Sequence, residues 1–198
     1  MTTPRATEYL ASLKRLTPVP TSAVEQSLSS QGAPCFDVWV SMHEKYAGYI
    51  EQLGSGDYAV WGIVHHKPNW LSPLVAQIDR EVKEPIWYVT CADVHPSYVY
   101  NLDQDGRFFV PPTANFDVYV ERNALVWEFF QRGQARRAER EELRNEAVLH
   151  SIQREIESGA LTLVQEASDD SAQYFSGSTL LIKKDVESTA IKQIWRRI

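Results

Sequence analysis

From Tyr58 to Phe109 the chain is written in short apolar runs, and this block does most to limit what it can fold into. The runs are "YAVWGIVHH", "PIWYVTCA", "SYVYNL" and "FFV", each rich in β-branched or aromatic residues. All are shorter than an ordinary helix, and "SYVYNL" alternates at the two-residue period of a half-buried strand. Tyr98 and Tyr100 therefore fall on one strand face. Between the last two runs, "DQDGR" supplies turn chemistry, with Gly106 free to take a positive φ. Pro73 to Val82 reads as a short helix or an ordered loop.

Helical spacing surrounds this block. Thr3 and Pro4 begin a helix that runs to about Leu16 and is ended by Pro18 and Pro20. Ser22 and Glu25 stand at capping-box spacing, with Gly32 at the stop. From Pro34, Phe36, Val40, His43 and Ala47 line one side of a third helix, up to the break at "GSGD". After the strands, "NFDVYVERNALVWEFF" repeats its apolar residues at helical spacing, with Asn115 as cap. Residues 131–157 read as a charged helix with a thin seam of Leu143, Ala147, Ile152 and Ile156. "QYFSGSTLLIKK" reads as a strand pair, and Asp185 to Trp195 as a terminal helix. The expected architecture is α+β: a mostly antiparallel sheet flanked by helices, with a C-terminal helical and strand extension. Residues 1–130 form the main domain and 131–198 the extension, packed on the same domain.

Net charge and cysteine usage narrow the function. The chain has 26 acidic against 20 basic residues, a net charge of −6, which disfavours a general nucleic-acid binder. The arginines of "RGQARRAER" interleave with glutamates and read as a solvated helix. No apolar run approaches a membrane span, and the N-terminus lacks the apolar core of a signal peptide, so the expected location is the cytoplasm. Cys35 and Cys91, far apart in sequence, are then expected to be free thiols.

The chemistry-bearing residues form no complete set. His65 and His66 are adjacent on a predicted strand and point to opposite faces. "HEKYA" has Ala47 where a zinc-protease helix needs its second histidine. "NLDQDGRF" resembles a calcium loop through Asn101, Asp103 and Asp105, but its twelfth position is Pro112 instead of a bidentate glutamate. No metal and no cofactor are expected. Neither "GSG" nor "FSGS" is a nucleophile elbow, and Cys91 lies in an apolar strand. His43 with Glu44, or Asp93 with His95, are the sequence neighbours from which an acid–base pair could be drawn. Trp39, Trp61, Trp87, Tyr88, Trp127 and Phe130 are most simply core.

The block "PIWYVTCADVHPSYVYNLDQDGRFF", followed by "NFDVYVERNAL", resembles the second half of SUKH superfamily domains. These include the fungal cell-wall assembly regulator family and many bacterial immunity proteins. Tyr100, Leu102, Asp103 and Gly106 match the strand and turn; Phe116, Tyr119, Val120, Glu121 and Leu125 match the closing helix. The resemblance covers residues 20–130. It implies a non-enzymatic protein that neutralises a cognate toxin, delivered by a neighbouring bacterium, by covering its active site. A toxin with a basic cleft suits the acidity of this chain. The candidate contacts are Asp57, Tyr58, Trp70, Asp93, His95, Tyr98, Asp103 and Asp105. A scaffold or regulatory domain of the same fold, and a hydrolase using His43 or Asp93 with His95, are the alternatives.

Overall fold

The computed structural model describes residues 2–53, 56–64, 78–80, 86–95, 98–109 and 112–198. The fold is α+β; the described residues form five helices and two sheets whose strand pairs are all antiparallel. The chain divides into two compact units, one of residues 10–116 and one of residues 1–9 with 117–198.

In the first unit, strands β1 (Lys14–Arg15), β2 (Tyr49–Gln52), β3 (Tyr58–Trp61), β5 (Trp87–His95), β6 (Tyr98–Asp103), β7 (Phe108–Phe109) and β8 (Pro112–Thr113) follow one another across the sheet. Strand β4 (Ile78–Arg80) pairs with the first half of β5, and β3 with the second half. Part of the stretch read as a short helix or loop, Ile78–Arg80, is thus an edge strand; its remaining residues lie outside the described ones. Pairing with β5 takes up the backbone groups on its inner side, which local sequence could not foresee.

Helices α2 (Thr21–Ser30) and α3 (Asp37–Tyr46) supply the apolar cover, with Val24, Leu28 and Trp39 fully buried. The predicted capping box is not formed: Pro20 is the cap of α2, and its N-terminus has no side-chain cap bond. Tyr46, Trp61, Phe108 and Phe116 meet edge to face or tilted, with centroids 5.1 to 6.1 Å apart. Each such aromatic buries about 150–250 Å², on the order of 4–6 kcal/mol of transfer free energy. The indoles of Trp39 and Trp61 are satisfied: Trp39 Nε1 donates to the Asp103 carbonyl at 2.7 Å, and Trp61 Nε1 to Glu51 Oε2 at 3.2 Å. Trp39 and Trp61 are core as expected, whereas Trp87, Tyr88 and Trp127 are half-buried and Phe130 is 40% exposed.

Two further helices are α1 (Pro4–Ser12) and α4 (Phe116–Gln131). Helix α1 stops at Ser12, short of the expected Leu16, because Lys14–Arg15 pair with β2. In the second unit a five-stranded sheet has the order β10 (Thr162–Leu163), β11 (Ala172–Ser176), β12 (Leu180–Asp185), β13 (Ile191–Arg197) and β9 (Ala135–Arg137). Successive residues of β12 serve opposite faces. Leu181 joins Leu125, Phe129, Tyr174 and Trp195. Leu180 and Ile182 join Ile152, Leu161 and Ile194 beneath α5 (Glu146–Glu157).

Two expectations fail here for physical reasons. The charged segment 131–157 is not one helix: α4 ends at Gln131, Gly133 turns the chain, and residues 135–137 pair with β13. Asn145 then caps α5 by accepting from the backbone N–H groups of Ala147 and Val148. Val148, not the exposed Ala147, completes the seam. The glutamate–arginine pairing survives on a different scaffold, with Arg136 bidentate on Glu142 at 2.6 and 3.1 Å between β9 and a short 3₁₀ turn.

The expected terminal helix is strand β13. Ile191, Ile194 and Trp195 mimic helical i, i+3, i+4 spacing, but a register shift opposite Lys183 and Lys184 inserts the odd residue. Asp185 does not cap a helix; its carboxylate accepts from Ser188 N and Oγ, both at 2.7 Å, and closes the turn.

A buried ion pair ties this unit together. Arg122 on α4 meets Asp169 at 2.5 Å and donates through Nε to the Ala167 carbonyl at 3.0 Å. Its guanidinium lies 5.4 Å from the Tyr174 ring centre. Asp169 Oδ1 also accepts from the backbone N–H groups of Ser171 and Ala172. Burial pushes the Tyr174 hydroxyl up to about 12. Lys183, half-buried, is held below the ordinary lysine range by burial and then by Arg122. No described helix is long and apolar enough to cross a membrane.

Candidate functional site

His43 illustrates how a chemically suggestive residue becomes structural. It is fully buried on α3. Nε2 lies 2.8 Å from the Val19 carbonyl, and Nδ1 accepts the Ile63 N–H at 3.2 Å. These partners select the neutral tautomer with the proton on Nε2. Burial lowers its pKa, opposed by the bond to Val19. With both ring nitrogens committed to backbone, the imidazole braces the chain before α2 against the end of β3 and has no nitrogen to exchange protons with a substrate.

Asp103 has a comparable role at the end of β6. It is buried, and its Oδ1 accepts from Asp105 N at 2.9 Å and Arg107 N at 2.8 Å. The turn closes with Gly106 N donating to the Asp103 carbonyl, and Gly106 takes φ +82°. A Cβ there would stand 2.4 Å from Val38 Cγ2, so glycine is needed for space as well as for φ. The calcium-like spacing is thus a hairpin turn whose aspartate caps its own backbone. Asp103 is corrected from a partner contact to a turn residue; Asp105, exposed on the same turn, keeps its availability.

The other candidates gather elsewhere. Asp57 and Tyr58 are half-buried at the start of β3. In the backbone register, Tyr58 pairs with His95, Val60 with Asp93, and Val94 with Tyr98. Five candidate positions therefore lie at one end of the sheet, those of Tyr58, Asp93 and His95 in phase on one face and that of Tyr98, in register with Val94, on the other, with Asp57 just before β3. The Asp103–Asp105 turn lies at the opposite end of β6, six residues or roughly 17–20 Å away. The eight candidates are not one cluster. Trp70, His65, His66 and the side chains of Asp93, His95 and Tyr98 lie outside the described residues.

Between these ends is a cavity that sequence reading missed. It has a volume of about 240 Å³ and is lined by Ile78, Asp79, Tyr88, Thr90, Val99 and Asn101. Asp79 sits directly opposite Tyr88, and Thr90 opposite Asn101, so these are cross-strand neighbours. Thr90 Oγ1 donates to Asn101 Oδ1 at 3.1 Å. The signal was present in the alternation of "SYVYNL", whose Val99 and Asn101 stand on the face opposite Tyr100 and Leu102. Reading it required knowing that β4 supplies the third wall.

A bulge fixes this arrangement. The register slips between Thr90 and Ala92, leaving Cys91 extra, and Cys91 and Ala92 are both fully buried. Cys91 donates to the Tyr100 carbonyl at 3.2 Å, and burial raises its pKa well above the ordinary thiol value. Cys35 and Cys91 are both free; Cys35 is exposed. Among the described residues no group of three or more His, Cys, Asp or Glu could hold a metal ion. No family model, no curated protein and no solved structure matches this chain.

Proposed function

We propose that this chain is an immunity protein of the SUKH type, which binds a cognate toxin and occludes its active site in the cytoplasm. One observation carries the reading. Strands β3, β5 and β6 bring the positions of Asp57 and Tyr58 beside those of Asp93, His95 and Tyr98, more than 30 residues on, at one end of an antiparallel sheet. Acidic and aromatic positions side by side suit recognition of a cationic cleft, through charge complementarity and aromatic anchoring. The net charge of −6 favours fast association with such a partner.

The test is co-expression with the product of the adjoining toxin-sized reading frame. Growth is expected to be restored, and a complex to be recovered from the lysate. Asp57→Lys should weaken that complex by about ten-fold or more. Asp105→Lys, at the far end of β6, should weaken it much less. The absence of both protection and complex, or capture of a host protein instead of the toxin, would overturn the reading and favour a regulatory scaffold.

A further inference from the structure

We infer that the cavity on β4, β5 and β6 is a receptor for one arginine side chain presented by a protein partner. Its size comes first. At about 240 Å³ it falls below the usual range for drug-sized ligands, roughly 300–1,000 Å³, and suits a single long side chain.

Its chemistry selects which side chain. Among the described residues of the lining, Asp79 is the one that carries a charge. The neighbouring Arg80 stands with its guanidinium 5.2 Å from the centre of the Trp87 ring. Asp79 Oδ1 accepts the Arg80 N–H at 2.7 Å, which leaves Oδ2 to meet an incoming donor. Asn101 Oδ1 accepts only one proton from Thr90, so it retains a second lone pair. Ile78 and Val99 offer apolar surface to a methylene stem, and Tyr88 adds an aromatic ring. A guanidinium matches this set better than an ammonium: it is planar, stacks on rings, and donates to several acceptors in a fixed fork.

This inference rests on the proposed binding role for its biological partner, but its physical content is tested without that partner. The probe is Nα-acetyl-arginine methylamide, titrated into the full ¹⁵N-labelled chain and followed by amide chemical shifts. The matching citrulline compound is the neutral control. Saturable shifts at Thr90 and Asn101 are expected with arginine only, and Asp79→Asn should weaken the arginine response about ten-fold. Asp79 is exposed on a three-residue edge strand, so that variant should keep the amide spectrum of the folded protein. Asp105→Asn, at the β6–β7 turn, should leave the titration unchanged. Equal shifts with citrulline, no saturable shift, or an unaffected Asp79→Asn titration would each overturn the inference. If arginine binds but no toxin is neutralised, the proposed function fails and the receptor stands. If protection is seen without arginine binding, the receptor alone fails.

Discussion

Replacing Arg122 by methionine removes a buried cation while keeping much of its packing volume, and the contacts of its partner set the cost. In Arg122→Met, Asp169 loses its ion pair but keeps Ser171 N at 2.9 Å, Ala172 N at 3.0 Å and Ser171 Oγ at 2.7 Å. The carboxylate remains partly satisfied, so the loss belongs near the lower end of the range for breaking a buried pair, about 3 kcal/mol. In Asp169→Ala, the guanidinium keeps two carbonyls, Ala167 at 3.0 Å and Ala172 at 3.5 Å, and a 3.3 Å bond to Ser171 Oγ. It also loses the acceptor that organised the turn. That variant should cost more, about 4–5 kcal/mol. The double variant leaves neither charge unpaired and should cost less than the sum, with a coupling of about 2 kcal/mol. Urea unfolding followed by circular dichroism at neutral pH measures all three. If Arg122→Met costs under about 1 kcal/mol, or the double variant is simply additive, the pair is not the brace described.

Two further predictions concern the first unit. Because the folded-state pKa of His43 lies below the unfolded value of about 6.5, the unfolded chain takes up the proton first. The stability held by neutral His43 is therefore full above about pH 6.5 and is lost as pH falls through the folded-state value. His43→Leu should lower stability at neutral pH by about 1–3 kcal/mol for each backbone partner it strands. It should also flatten the acid-side slope, as read by urea midpoints across pH. Gly106→Ala should cost about 1–2 kcal/mol for its left-handed φ, plus about 1–3 kcal/mol for the contact with Val38. Adding Val38→Ala should recover only the contact part in the same urea assay.

Local sequence was enough for the α+β class, for four of the eight described strands of the first unit (β3, β5, β6 and β7), and for the turn at Gly106; β1 and β2 lie in stretches with helical spacing. The legible features depend on near neighbours: two-residue alternation, β-branched content, and an aspartate beside a glycine. The strand pair in "QYFSGSTLLIKK" was legible for the same reason. Tertiary structure decided wherever one local pattern served two folds. Ile191, Ile194 and Trp195 satisfy helical spacing and also a bulged strand, and the vacant edge of β12 chose the strand. Gln134 to Arg144 has good helix formers, yet pairing of Ala135–Arg137 with β13 took them.

The site divides along the same line. That Asp57, Asp93 and Tyr98 carry recognisable chemistry was readable from residue type, whereas their gathering required the β3–β5–β6 register. Asp103 and His43 were candidates by residue type alone, and burial turned their polar atoms toward backbone partners. Arg122 with Asp169, and Asp79 beside Thr90 and Asn101, left no local trace: each grouping joins residues more than ten positions apart, and only the folded chain brings them within reach.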